Sequence, residues 1–189
     1  AINNSDVLMV KRILKIPEIN PLLYNNERKS ALYLAILSKN MEIIETILDF
    51  YGEKISEKKI VNEISKSAID LISAKKRNVD KNVIQVLKRV LQIKGIDPNI
   101  YGPKYTFLLF ACIIGEIEIV KMLLKMDDID VNAYSLDELN TPLMTAIIAN
   151  HIDIALLLID DKRTDINLNI SNDQTALTMA VKNKLPKVI

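Results

Sequence analysis

Cysteine, histidine, glycine and tryptophan are scarce in this chain, and each scarcity excludes something. The lone cysteine, Cys112, cannot form an intrachain disulfide and suits a reducing compartment. With His151 as the only histidine, no His/Cys zinc set is available, and neither a Ser-His-Asp nor a Cys-His arrangement is expected. Cys112 sits at a small-residue position in an apolar stretch, so it reads as a buried small hydrophobe rather than a nucleophile. The four glycines stand isolated, which leaves no Gly-rich phosphate cradle. Charge of one sign is also missing: 25 basic residues meet 24 acidic ones, so no global field recruits nucleic acid or an anionic membrane. The longest apolar run in the repeats described below, Phe107 to Gly115, is about half of the ~20 residues that span a bilayer. The opening stretch AINNSDVLMVKR does not follow the order of a secretory leader. Without tryptophan, and with few other aromatics, the core must be built from isoleucine and leucine.

What the chain does have is enough apolar matter to fold, at 49% of its 189 residues, and a pattern that repeats. Residues 106–132 read TFLLFACIIGEIEIVKMLLKMDDIDVN, and residues 141–167 read TPLMTAIIANHIDIALLLIDDKRTDIN. In this register Thr106 meets Thr141, Leu108 meets Leu143, Ala111 meets Ala146, and Leu123 meets Leu158. The frame returns at Ser30-Ala31-Leu32-Tyr33-Leu34-Ala35 and at Thr175-Ala176-Leu177-Thr178-Met179-Ala180. A period of about 33–35 residues is the mark of stacked supersecondary units. Each unit opens with Thr or Ser, followed in one copy by Pro142, which is how a helix starts. That helix stops near Gly115 or Asn150, residue types that tolerate the left-handed conformation. The second stretch, IEIVKMLL or IDIALLLI, is apolar on more than one face, which predicts a helix sandwiched between neighbours. Asp127-Asp128 and Asp160-Asp161 fall in the polar link that follows and read as solvated loop charge rather than a catalytic pair.

Thr141-Pro142-Leu143-Met144-Thr145-Ala146, Asn150-His151-Ile152-Asp153-Ile154 and Asp165-Ile166-Asn167 resemble the ankyrin repeat pattern, and Gly115 to Lys121 with Asp130-Val131-Asn132 resembles it a second time. The fold this implies is all-α: an ankyrin-type solenoid of stacked helix-turn-helix repeats joined by β-hairpin-like loops. One repeat domain is expected over residues 1–189, divided into a partial repeat at 1–24, a repeat at 25–52, an irregular repeat at 53–101, repeats at 102–136 and 137–171, and a partial repeat at 172–189. Ala1 aligns with Ala111 and Ile189 with Ala155, so the chain reads as an excerpt of a longer array. In the irregular repeat, Phe50-Tyr51-Gly52-Glu53 lacks the Asp-Val-Asn finger. The spacing of Ile60, Val61, Ile64, Ala68, Leu71 and Ile72 predicts a long helix beginning near Ser56. The His that this family usually carries after Pro-Leu is replaced by Tyr33, Leu109, Met144 and Thr178, which implies that cohesion leans on aliphatic burial.

The resemblance also implies a function: a non-catalytic scaffold whose concave surface, made of finger tips and first helices, binds a partner protein. Carried over position by position, that surface comprises Pro103, Tyr105, Ile113 and Ile114, then Asp137, Glu138, Asn140, Ile148 and Ala149. The flanking repeats add Asn26, Glu27, Lys29, Leu37 and Ser38, and Ser171, Asn172, Gln174, Lys182 and Asn183. The middle of this set is apolar and its edges polar, as in many interfaces, although close helix packing would bury the same isoleucines. His151 falls where the family often has His and reads as structural. No cofactor or metal is expected, nor nucleic acid or membrane insertion. A monomer in the cytoplasm, or the nucleus, is the expected state.

Two other readings stand beside it. The repeats would recruit substrate for a larger enzyme, or the basic cluster of Lys75, Lys76, Arg77, Lys81, Lys88 and Arg89 would contact an anionic membrane or nucleic acid. No aromatics interleave with that cluster, and positive charge near a helix C-terminus is favourable in itself. Because the polar insertion from Lys75 to Asn82 interrupts the repeat, limited proteolysis is expected to cut first within residues 75–81. A first cut inside residues 106–126, mapped by mass spectrometry, would contradict this.

Overall fold

Helix starts in this chain are fixed by short polar side chains. In the computed structural model, described over residues 6–20, 23–27, 29–52, 57–73, 79–170 and 174–184, the helices fall into two compact units that divide at Asp97 and Pro98. The first unit contains α1 (Val7–Ile13), α2 (Ala31–Ser38), α3 (Met41–Tyr51), α4 (Lys58–Ser73) and α5 (Lys81–Leu91). The second contains α6 (Phe107–Ile114), α7 (Ile117–Leu124), α8 (Pro142–Ile148), α9 (Ile152–Asp160) and α10 (Ala176–Lys182). The hydroxyls of Ser30, Thr106, Thr141 and Thr175 accept from the backbone N–H groups of Tyr33, Leu109, Met144 and Thr178. Asp6, Asn40 and Asp80 do the same for α1, α3 and α5. Each such cap contributes about 1 kcal/mol by satisfying a donor the helix leaves open.

Each unit is two layers deep. In the first, α2 and α4 lie side by side as an inner layer, backed by α1, α3 and α5. In the second, α6, α8 and α10 form the inner layer, with α7 and α9 behind. As expected, the second helices pack against neighbouring second helices, but in the second unit they are less enclosed than the first helices. In this unit the first helix is the more enclosed: Phe107 through Cys112 are all buried in α6. On α7 only Ile119, Val120 and Leu123 are buried, and on α9 only Ile154, Ala155 and Leu158. The reason is the layering, since an inner helix meets neighbours on both sides and its own partner behind, while an outer helix keeps one side in water. The long helix expected in the irregular repeat is present as α4, with Ile60, Val61, Ile64, Ala68, Leu71 and Ile72 all buried. Its expected start near Ser56 lies outside the described residues, as do Lys75, Lys76 and Arg77 of the basic insertion.

Leucine and isoleucine fill both cores, as the shortage of aromatics requires. Hydrogen bonds contribute to the inter-repeat joints as well. The substituted position Tyr33 donates its hydroxyl to Asp70 of α4 at 3.0 Å. Beside it, Ser30 Oγ donates to the buried Glu63 at 2.6 Å, and Tyr24 donates to the other oxygen of the same carboxylate at 3.1 Å. Cohesion in the first unit therefore adds these polar ties to the aliphatic burial on which the missing histidine implied that it leans.

In the second unit the turn between α6 and α7 depends on one glycine. Gly115 has φ +77°, a conformation that costs any other L-residue about 1–2 kcal/mol. A Cβ there would also lie 2.5 Å from His151 Cε1, because the imidazole of the next repeat packs over the glycine. His151 Nε2 stands 3.3 Å from the Ile113 carbonyl oxygen, to which its N–H donates in that tautomer. His151 is thus structural, and it bridges two repeats. Gly115→Ala should destabilise the chain by about 2–3 kcal/mol in denaturant melts, and by only about 1 kcal/mol in a His151→Ala background. Equal losses in the two backgrounds would disprove the steric part of this account.

Candidate functional site

Between the outer helix of one repeat and the inner helix of the next, the chain of the second unit makes a short tight loop. Gly102 N–H donates to Tyr105 O at 3.0 Å, and Ser135 N–H donates to Asn140 O at 2.9 Å. Neighbouring loops are joined at their tips: Leu136 N–H donates to Lys104 O at 3.0 Å, and the Lys104 ammonium donates to Asp137 at 2.6 Å. The bond to Asp137 raises the Lys104 pKa, and its counterpart lowers that of Asp137. These bonds give the loops a hairpin-like form without regular strands among the described residues.

Lower in the loops, asparagine side chains act as staples. Asn99 donates through Nδ2 to Asp128 O at 2.7 Å and accepts from Asp130 N–H at 2.7 Å. One repeat later, Asn132 donates to Arg163 O and accepts from Asp165 N–H, both at 2.8 Å. The side chain of one repeat thus completes backbone hydrogen bonds of the next. Tyr101 adds a parallel tie, its hydroxyl donating to Tyr134 O at 3.0 Å and accepting from Tyr134 N–H at 3.2 Å. Arg163, gripped by Asp161, donates to Leu124 O at 2.7 Å and Met126 O at 2.9 Å, and so closes the C-terminal end of α7. Paired with that guanidinium, Asp161 is held below the usual carboxylate range. The sequence reading missed the role of Asn99 and Asn132. Their recurrence at one repeat spacing was the available signal.

On this frame the sequence-selected residues fall into three groups. Pro103, Asp137 and Glu138 stand exposed at the loop tips, and Gln174, Lys182 and Asn183 are exposed at and after the start of α10. Tyr105, Ile113, Ile114 and Ala149 are half-buried, while Ile148, at the end of α8, is 48% exposed. Asn140 differs from the rest: it is only 6% exposed, its N–H donating to Ser135 Oγ and its amide to Glu138. It shapes the loop that presents Asp137 and Glu138. In the first unit, Asn26 and Glu27 are exposed and Lys29 half-buried, with Lys29 paired to Glu27 at 2.9 Å. Leu37 and Ser38 are half-buried, and Ser38 Oγ donates back to Ala35 O. Ser171 and Asn172 lie outside the described residues.

Cys112 is fully buried in α6, and burial pushes its thiol far up, away from the nucleophilic thiolate. Among the described residues no three of His, Cys, Asp or Glu are placed to hold a metal ion, and no helix is long and apolar enough to cross a membrane. Of the basic cluster, Arg89 is engaged by Glu45 at 2.7 Å, and Lys81 is exposed.

A family model described as "Ankyrin repeats (3 copies)" matches residues 71–170. Alpha-latrocrustotoxin-Lt1a of Latrodectus tredecimguttatus is 28% identical over 170 residues, which covers 84% of this chain. The chain spans 11% of the length of that curated relative. Among solved structures, EF0377, described as an ankyrin repeat protein, superposes with a TM-score of 0.74 at 22% identity, covering all of this chain and 92% of the other. The ankyrin repeat domain of Bcl-3, described as a unique member of the IkappaB protein family, gives 0.67 at 17% identity, covering all of this chain and 80% of the other. At those identities the structural likeness speaks for the fold.

Two phenols give the first unit an alkaline limit. Tyr33 is pushed up to about 12 by burial and by Asp70, and Tyr51 to about 12 by burial and by Glu63. A phenol whose folded pKa is raised adds stability below its unfolded value near 10 and loses it as pH climbs through the folded value. Stability should therefore fall between about pH 10 and pH 12, in step with phenolate absorbance. Tyr51 Oη is buried without a hydrogen-bond partner. Tyr51→Phe should accordingly flatten that fall and leave the neutral-pH melting temperature unchanged or higher. An unaltered alkaline profile in Tyr51→Phe would contradict the assignment.

Proposed function

The chain belongs to the ankyrin repeat family, whose repeats are generally protein–protein interaction modules, and we propose that it is a non-catalytic scaffold that holds a partner protein on the surface formed by loop tips and inner helices. The observation that carries this reading is Ile148. It is a large aliphatic residue left 48% exposed at the C-terminal end of the inner helix α8, followed by half-buried Ala149, while half-buried Ile113 and Ile114 hold the equivalent end of α6 and exposed Asp137 and Glu138 lie in the loop that precedes α8. An apolar centre with a charged edge suits a protein surface of the opposite pattern, the centre supplying affinity and the rim fixing orientation. Pro103, Tyr105 and Gln174 extend that surface, and Asn26, Glu27 and Lys29 supply the equivalent tips in the first unit. Asn140 acts by positioning rather than contact, and Ser171 and Asn172 belong to the proposal by register alone.

One repeat domain over residues 1–189, with the internal boundaries given above, remains our reading of the organisation. It acts as a monomer, without cofactor, in the cytoplasm or nucleus; the reduced, enclosed Cys112 supports the intracellular setting. Because the matched relative is far longer, the same surface also suits a recruiting module of a larger protein. The basic cluster is a weaker basis for an anionic partner, since Glu45 already occupies Arg89.

Ile148→Ser should leave the melting temperature nearly unchanged, because exposed substitutions shift stability by about 0.5 kcal/mol or less. In affinity capture with quantitative mass spectrometry it should lose the proteins retained by the parent chain at least tenfold. Leu156→Ser, on the outer helix α9 at 37% exposure, is the control and should retain them. Equal retention by the two variants would remove the inner-helix surface from the account.

A further inference from the structure

The outer layer of the first unit carries a surface that the scaffold reading does not use. A groove of roughly 370 Å³ runs between α1 and α3, lined by Leu8, Lys11, Arg12 and Lys15 from one side and Thr46 and Phe50 from the other. Of its apolar members Leu8 is 61% exposed and Phe50 41%, while Leu14 is half-buried. Its charged members are all cations. Glu42 engages Lys11 at 2.9 Å, and among the described residues no ion pair engages Arg12 or Lys15.

Comparison with the other outer helices sets α1 apart. The second residue is Glu42 in α3, Asn82 in α5, Glu118 in α7 and Asp153 in α9, whereas α1 has Leu8. A polar or acidic side chain is what the solvent side of a helix's first turn favours, through hydration and through the helix dipole. Leucine forgoes both, and it does so where three basic residues follow on the same face. Val10 is the residue of α1 that packs into the fold, so Leu8 has no core role.

We propose that this groove docks an acidic peptide segment of a protein partner, with one large apolar side chain seated between Leu8 and Phe50 and flanking carboxylates over Arg12 and Lys15. Charge and shape both argue for this occupant. The rim offers cations to a chain that brings anions, and the hollow of roughly 370 Å³ has room for a large side chain and its neighbours in a short peptide, unlike the broad apolar stripe with which a helix lies on a bilayer. The surface is separate from the one proposed above, and neither depends on the other.

The test uses two short fluorescent peptides with the same Phe-Leu core, one flanked by glutamates and the other by lysines, with binding read by anisotropy. The glutamate peptide should bind the parent chain, weaken as salt is added, and bind at least tenfold less well to Leu8→Glu and to the double variant Arg12→Glu/Lys15→Glu. The double variant should gain affinity for the lysine peptide. Ile148→Ser should bind the glutamate peptide like the parent. All the altered positions are exposed, and circular dichroism melts confirm that the variants fold. Equal binding of both peptides, binding of neither, or no change in Leu8→Glu would overturn the proposal. So would retention on phosphatidylserine vesicles through Arg12 and Lys15 with no binding of the glutamate peptide, which would assign the groove to a membrane.

Discussion

No helix pair in this chain can hide its own apolar surface, and the architecture of each unit follows from that. An isolated pair would leave the outer flank of its first helix in water. Stacking a second pair beside it removes that flank at a gain of about 25 cal/mol per Å² of apolar area. Inner helices α6 and α8 illustrate the result: Leu108 and Leu109 of the first and Ala146 and Ile147 of the second are at most 0% exposed. Stability in such a stack is a sum of pair terms and neighbour terms, so the joints between repeats decide how the whole behaves.

Those joints are polar where the aliphatic contacts end. In the second unit the loops would leave backbone N–H and carbonyl groups unpaired, and Asn99 and Asn132 satisfy them across the repeat boundary. In the first unit the buried Glu63 takes that part, receiving hydroxyls from Ser30 and Tyr24. A buried carboxylate is costly unless its oxygens are hydrogen-bonded, and here two donors from the preceding repeat engage one oxygen each. The same two devices fix the register of one repeat on the next, because neither tolerates a shift of a turn.

Much of this was legible in the residues. The hydroxyl before each apolar run announced the starts of α2, α6, α8 and α10, and Gly115 and Asn150 marked the turns, where both adopt positive φ. The irregular spacing after Tyr51 disclosed the long α4. The layer to which each helix belongs was not legible, because apolar content alone does not say how many neighbours a helix has; IEIVKMLL packs beside its neighbour α9 as its pattern implies, but in the less enclosed outer layer. Nor did Glu63 look buried, since a glutamate in a helix with Lys58, Lys59 and Asn62 nearby reads as solvated until the hydroxyls that receive it are placed. Asn140 counted as a tip residue by register, but its amide turns back to Glu138 because the loop needs a donor there.

The enclosure of Cys112 has a practical consequence. It is the single thiol of the chain and sits in the middle of an inner helix with no solvent contact. An alkylating reagent can reach it only when α6 separates from its neighbours, so the rate of covalent labelling counts openings of the second unit one at a time. The chain thereby carries its own clock for the breathing of an inner layer, and anything that clamps neighbouring repeats together will slow it.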